Sequence, residues 1–328
     1  MWDHEVADLL AVLNEGFPRV EDMSGAEARA AVAARRAPVT NLDDVASAED
    51  IEIPAAHGPI GARVYQPHPS ADGADGPRPL VLFFHGGGFV FCDLETHDGF
   101  CRAMARATAA VVVSVDYRRA PEHRAPAAAQ DALAATVWAI EHAPELGADP
   151  ARVVSMGDSA GGNLAAVACL MARDAGGPTP AAQVLIYPMI DPACDSESAR
   201  RYPTGYFNTV AAMKWYWQQY LPEDSALPEP TEHVAPLTAA SLADLPPAIV
   251  VTAGLDPLSG DGHEYVAALR RAGVPVLHRD YGGLFHGFLT ILPLRAAQAA
   301  RDVLWRDVAT VLTQPSARTN ALSPGEPR

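Results

Sequence analysis

The chain has 328 residues, 49% of them hydrophobic, and a formal net charge of −16. Such a length can bury a substantial core in one large α/β domain or two average ones. The acidic balance opposes nucleic-acid binding, and no run reaches the roughly 18 uninterrupted apolar residues of a membrane-spanning helix, so neither nucleic acid nor membrane is an expected partner.

The start of the chain, with Asp3, His4, Glu5 and Asp8, lacks the basic residues and apolar stretch of an export signal, which makes a cytoplasmic location the expectation. Val6, Leu9, Leu10 and Leu13 then fall at helical spacing. A second helix is predicted to start at Ser24, because Ser24 with Glu27 forms a capping box ahead of an alanine-rich run. These two helices, within residues 1–50, are read as a cap.

Residues 51–314 read as the core. Ile51 and Ile53 alternate with polar neighbours, His57-Gly58-Pro59 breaks the pattern, and residues 62–65 resume it, which predicts an antiparallel hairpin. Residues 70–79, rich in Gly, Asp and Pro, are expected to form a loop. Short apolar strands follow at 80–84, 110–115, 153–156, 183–187, 248–253 and 276–280. Ala129, Leu133, Val137 and Ile140 mark one intervening helix, and Leu164, Val167, Ala168 and Met171 another.

This alternation predicts an α/β class fold, doubly wound and mostly parallel, with ligands gathered at the carboxyl ends of the strands. Residues 191–246 interrupt it. They hold no clear strand but carry Tyr206, Phe207, Trp215, Tyr216, Trp217 and Tyr220, and are read as a helical insertion over the site. The tail at 315–328 is expected to be disordered. The four cysteines, Cys92, Cys101, Cys169 and Cys194, and the eleven scattered histidines show no metal-ligand spacing, so no metal is expected and the thiols are read as free.

Gly157-Asp158-Ser159-Ala160-Gly161 follows directly on a predicted strand and opens a predicted helix. Glycines two before and two after the serine permit the tight turn that lifts a hydroxyl above the sheet edge, near a helix N-terminus. A packing turn would explain the glycines alone; the flanking strand and helix favour a nucleophile at Ser159. His85-Gly86-Gly87-Gly88-Phe89 ends another strand, and its unshielded backbone N–H groups can meet the negative oxygen formed when an acyl carbonyl is attacked. Gly87 and Gly88, with Ala160, are the oxyanion-hole candidates.

A serine hydroxyl needs a base, and the base needs a group that fixes its tautomer. His286, in a glycine-rich stretch after the last predicted strand, is preferred over His233, His263 and His278. Asp256 and Asp191 both follow a strand, and both suit the order Ser, Asp, His, so strand position leaves the acid open between them.

Taken together, the chain resembles the bacterial hormone-sensitive lipase-like esterases of the α/β-hydrolase superfamily, in the branch with a Gly-Asp-Ser-Ala-Gly elbow. The resemblance is carried by the two motifs above, Asp116-Tyr117-Arg118, Ala120-Pro121-Glu122-His123, Leu185-Ile186-Tyr187-Pro188, Asp256-Pro257-Leu258 and His286-Gly287-Phe288. It implies an α/β-hydrolase fold with a mostly parallel eight-stranded sheet and a helical cap. It assigns the triad to Ser159, Asp256 and His286 and the oxyanion donors to Gly87, Gly88 and Ala160.

The expected function is serine carboxylesterase action on a small-molecule ester of short to medium chain, with no cofactor. An aryl-amide hydrolase on the same triad, or a non-catalytic binding protein on this fold, are the alternatives. Phe89, Asp158, Phe207, Trp215 and Phe285 are the substrate-pocket candidates. Members of the family often pair through the edge strand, here the strand at 276–280, so the resemblance admits a homodimer while the sequence leaves the oligomeric state open. Two departures from the family pattern stand out: Arg119 where leucine is usual, and Ser259-Gly260 where Arg-Asp is usual.

Overall fold

Eight strands form one sheet in the computed structural model, which describes residues 3–69, 76–224 and 226–313. They are β1 (Ser47–Ile53), β2 (Ile60–Gln66), β3 (Arg78–Phe84), β4 (Val111–Asp116), β5 (Ala148–Asp158), β6 (Ala182–Ile186), β7 (Ala248–Leu255) and β8 (Val276–Phe285). Their order across the sheet is β1-β2-β4-β3-β5-β6-β7-β8. β1 pairs with β2 and β2 with β4 in antiparallel fashion, and the remaining neighbours are parallel.

The burial of these strands follows from their composition. The central strands are mostly apolar because helices cover both faces, whereas β1 alternates charge with isoleucine because it stands at an edge. Leu80, Leu82 and Phe84 of β3 face one apolar layer, and Val81 and Phe83 face the other, as the two-residue period of a strand dictates.

The helices are α1 (His4–Gly16), α2 (Gly25–Ala33), α3 (Leu94–Thr108), α4 (Ala127–Glu141), α5 (Ala160–Asp174), α6 (Glu197–Arg201), α7 (Val210–Tyr220), α8 (Ser259–Arg271) and α9 (Gln298–Thr313). α4 and α5 pack on the first face, and α3 and α9 on the second. α5 is buried from Ala160 through Met171, because small residues let it sit close against the centre of the sheet. At the head of α2, Ser24 Oγ accepts the Glu27 N–H and the Glu27 carboxylate accepts the Ser24 N–H at 2.8 Å, as the capping-box spacing predicts.

Several boundaries differ from the sequence reading. β8 continues to Phe285, five residues beyond the expected end, so Gly282 and Gly283 belong to a strand rather than a loop. The pairing of β7 with β8 shifts register between Ala253 and Leu255, and a Cβ on Gly254 would stand 2.5 Å from Gly282 Cα. The glycines therefore serve a close backbone crossing. β3 begins at Arg78, inside the expected loop, and residues 70–75 lie outside the described residues, as does the tail at 315–328. α3 and α9 have no counterpart in the sequence reading. Residues 191–246 contain no strand among the described residues.

Both departures from the family pattern have structural consequences. Arg119 donates to Cys92 O at 2.5 Å and pairs with Asp116 at 3.3 Å, bracing the end of the glycine loop. Gly260 lets α6 dock: a Cβ there would meet Ser196 Cβ at 2.7 Å, and the Gly260 N–H donates to Ser198 Oγ at 2.8 Å. Among the described residues no helix is long and apolar enough to cross a membrane, and no cluster of His, Cys, Asp and Glu could hold a metal ion. The four cysteines are free thiols.

Candidate active site

Ser159 stands between the last residue of β5 and the first of α5, with φ +56° and ψ −117°. That conformation is costly for a residue with a side chain, and the surroundings hold it in place. A Cβ on Gly161 would lie 1.9 Å from Phe84 O, and one on Gly157 would lie 2.2 Å from Gly161 O, so only glycine fits at either position. The Ser159 N–H donates to Ile186 O at 2.8 Å, and Ser159 O accepts from the Met189 N–H at 3.1 Å. The strain is thus locked by backbone groups of β6 and the segment that follows it.

His286 directly follows β8. Its Nε2 lies 3.0 Å from Ser159 Oγ and its Nδ1 lies 2.7 Å from Asp256 Oδ2. Asp256, just beyond β7, is fully buried, and its other oxygen accepts the Leu258 N–H at 2.9 Å. Two acceptor contacts on a buried carboxylate fix its rotamer, and the carboxylate in turn fixes which imidazole nitrogen faces the serine. The Tyr187 ring packs against His286 with centroids 4.7 Å apart, and burial holds the Tyr187 hydroxyl well above its usual pKa, in the neutral form.

The rival groups lie elsewhere. Asp191 Oδ1 accepts the Ala193 N–H at 2.9 Å and caps its own turn. His233 sits in a short 3₁₀ turn of residues 231–233, and His263 Nδ1 contacts Ser259 O on α8 at 2.7 Å. His278 Nε2 lies 2.9 Å from Thr252 Oγ1 within the sheet, and burial together with the neighbouring His263 pushes its pKa down to about 4.

The glycine loop after β3 lies beside the serine. Gly87 and Gly88 adopt φ of +106° and +59°, which suit glycine. The Gly87 carbonyl accepts from Val90 and Phe91, both at 3.0 Å, which turns the loop tightly. A Cβ on Gly88 would stand 2.4 Å from Tyr216 Cγ. Ala160 is the first residue of α5, where the N–H has no partner within the helix, and it is buried without lining the cavity itself. Asp158 Oδ1 accepts the Gly86 N–H at 2.9 Å and Tyr117 Oη donates to His85 O at 2.9 Å, so the loop is anchored on both sides. His85 stacks on Tyr117 at 4.4 Å, and burial keeps its pKa well below the usual imidazole value.

A cavity of about 330 Å³ opens onto Ser159, His286, Gly87 and Gly88. Its walls are mostly apolar: Leu13, Phe17 and Val32 come from the N-terminal segment, Phe91 from the glycine loop, and Phe207 and Tyr216 from the insertion. Phe207 and Phe17 meet edge to face at 5.0 Å. Of the pocket candidates, Asp158 and Phe207 reach this wall and three do not.

Phe89 is a correction: its φ of +64° turns the ring into the core, where it stacks on Tyr220 at 3.9 Å. Trp215 is another, since its indole N–H donates to Met23 O at 3.2 Å. Phe285 is fully buried below the cavity, 6.3 Å from the Phe207 ring. Phe91 and Tyr216 take the wall positions instead. One residue along a helix rotates the side chain by about 100°, so the aromatic run 215–217 announces an apolar helix without fixing which ring faces the site.

Comparison with known proteins identifies the family and the fold. The profile of a family described as alpha/beta hydrolase fold matches residues 81–290. The carboxylic ester hydrolase LipN of Mycobacterium tuberculosis is 46% identical over 256 residues, which are 76% of this chain and 66% of that protein. The esterase LipI of the same organism is 46% identical over 73% of this chain and 74% of its own length. A thermostable esterase from Pseudomonas putida superposes with a TM-score of 0.86 at 33% identity, covering 97% of this chain and 98% of that one.

Proposed function

The chain belongs to the alpha/beta-hydrolase fold family, in its hormone-sensitive lipase-like branch, and is a carboxylic ester hydrolase; on that premise we propose that Ser159, His286 and Asp256 carry out its chemistry. Ser159 Oγ attacks the ester carbonyl while His286 Nε2 takes the hydroxyl proton. Asp256 stabilises the imidazolium so formed. The negative oxygen of the tetrahedral intermediate lies among the N–H groups of Gly87, Gly88 and Ala160, each worth about 2.7–4 kcal/mol to such a transition state. Collapse expels the alcohol, which receives the proton from His286. Water then attacks the acyl-enzyme, His286 takes its proton, and the acid leaves with Ser159 restored.

The observation that carries this reading is the continuous contact from Ser159 Oγ through the His286 ring to Asp256. The cavity volume supports short to medium acyl chains, and the N-terminal helices with the insertion supply a cap above it. A series of p-nitrophenyl esters of increasing chain length, run beside matched p-nitroanilides, tests the proposal. Ester turnover peaking below long-chain substrates and exceeding anilide turnover is expected. Faster anilide cleavage would make the chain an amidase, and no turnover of either would leave a binding protein.

We also propose that two copies pair along β8. Among the described residues this strand hydrogen-bonds only to β7 and so offers an edge, and light scattering in solution reads the outcome. The cytoplasmic location expected from the sequence belongs to the same proposal, and cell fractionation tests it.

A further inference from the structure

The active-site cavity contains a second histidine that the steps above do not use. His97, on α3, lines the cavity with only 8% of its side chain exposed, and its Nε2 stands 3.3 Å from Asp158 Oδ1. Asp158 immediately precedes the proposed nucleophile, and the same Oδ1 accepts the Gly86 N–H at 2.9 Å. A Cβ on Gly86 would fall 2.5 Å from Asp158 Oδ2, so the glycine loop rests directly on this carboxylate. His97 is itself held: Nδ1 lies 3.1 Å from Thr96 Oγ1, and Thr96 is tied to Asp93 in the capping box of α3. Its ring also packs 5.7 Å from His85 and 5.9 Å from Phe83.

We propose that His97 is a positioning residue of the ester hydrolase, acting through Asp158 to hold the glycine loop for the developing oxyanion. The inference rests on the catalytic reading above and deepens it. A carboxylate beside the point where negative charge develops opposes the reaction unless its own charge is engaged. His97 Nε2, at 3.3 Å, is placed as the charge partner of this carboxylate. His97 Nε2 and the Gly86 N–H both approach Oδ1, which engages the carboxylate's charge at the base of the loop. Because His97 acts on the loop through Asp158, its contribution is expected in the transition state rather than in substrate binding.

The test is a double-mutant cycle on p-nitrophenyl butyrate hydrolysis by the full chain, using His97→Ala, Asp158→Asn and the double variant. His97→Ala is expected to lower kcat by about tenfold or more with KM within about twofold, and His97→Gln, which restores an N–H donor, to recover part of the loss. In the Asp158→Asn background, His97→Ala is expected to add nothing further. The rate at which a p-nitrophenyl phosphonate labels the serine should fall in parallel with kcat, because that reaction also places an oxygen in the glycine loop.

A rise in KM with kcat unchanged would make His97 a substrate contact and overturn the proposal. Fully additive losses would overturn it too, as would wild-type kinetics in His97→Ala. If His97→Ala unfolds, a normal melting temperature in Asp158→Asn with unchanged kcat would also overturn it. Failure of the catalytic reading itself looks different: wild-type enzyme would then not be labelled at Ser159 at all.

Discussion

Asp256 Oδ2 lies 2.7 Å from His286 Nδ1, and both side chains are buried where the ends of β7 and β8 meet. Asp191, in the segment that follows the neighbouring β6, turns its carboxylate to the Ala193 N–H instead. Asp256→Asn should therefore lower kcat by roughly 10⁴, since an amide presents a donor where the imidazole needs an acceptor and selects the wrong tautomer. Asp191→Asn should stay within about threefold of wild type. Steady-state kinetics on the two variants decide, and the reverse ranking moves the acid to β6.

The nucleophile turn depends on backbone contacts that exclude a single methyl group. In Gly161→Ala the new Cβ meets Phe84 O at 1.9 Å and His85 O at 2.6 Å, neither of which can swing aside. A loss of about 3 kcal/mol or more, or failure to fold, is expected in urea melts. Gly16→Ala, at the end of α1 with nothing within 4 Å of its Cβ, should be neutral or mildly stabilising.

Arg29 ties α2 to the core. Its guanidinium donates to Val90 O and Ala120 O, each at 3.0 Å, and grips Glu122 through both oxygens at 3.0 and 2.7 Å. α2 also carries Val32, a wall residue of the cavity. Arg29→Ala should raise KM by about three- to tenfold with a smaller change in kcat, because it loosens the wall rather than the chemistry. Lysine should restore only part, since it cannot make the two-point contact with Glu122. Equal loss in kcat and kcat/KM would show that the link acts on the reacting groups.

Asp261 introduces a pH dependence of opposite sign to that of a salt-bridged acid. It accepts the Ile190 and Asp191 N–H groups at 3.4 and 3.1 Å, yet burial, with Asp191 and Asp256 nearby, raises its pKa from 3.8 to about 7. In that window the folded chain keeps a proton that the unfolded chain has released, so stability contributed by this group falls as pH rises. Asp261→Asn removes the titration while keeping an acceptor oxygen. The variant should gain about 2 °C or more in melting temperature over wild type at pH 8 relative to their difference at pH 5. A difference between the two proteins that does not vary with pH would exclude Asp261 as the source.

The features legible in the sequence are those set by local stereochemistry. The Ser24 capping box, the glycines around Ser159 and the apolar runs of β3 to β7 each announce their conformation within a few residues. What stayed hidden depends on distant contacts. The positive φ of Phe89 turns one aromatic ring out of the pocket while Phe91 enters, and nothing in a run of alternating phenylalanines records that twist. Likewise Gly282 resembles a loop residue until Gly254 of the neighbouring strand is seen crossing it. Strand position alone left Asp191 and Asp256 open, and only the resemblance chose between them, because the contact of an acid with a distant histidine is not written in local spacing.

The most direct measurement is turnover of p-nitrophenyl butyrate by purified Ser159→Ala, a change that removes one oxygen and leaves the fold intact. A nucleophile at this position predicts kcat lower by about 10⁴–10⁶, with the circular dichroism spectrum unchanged. A correctly folded variant retaining more than a few per cent of wild-type turnover would contradict the account.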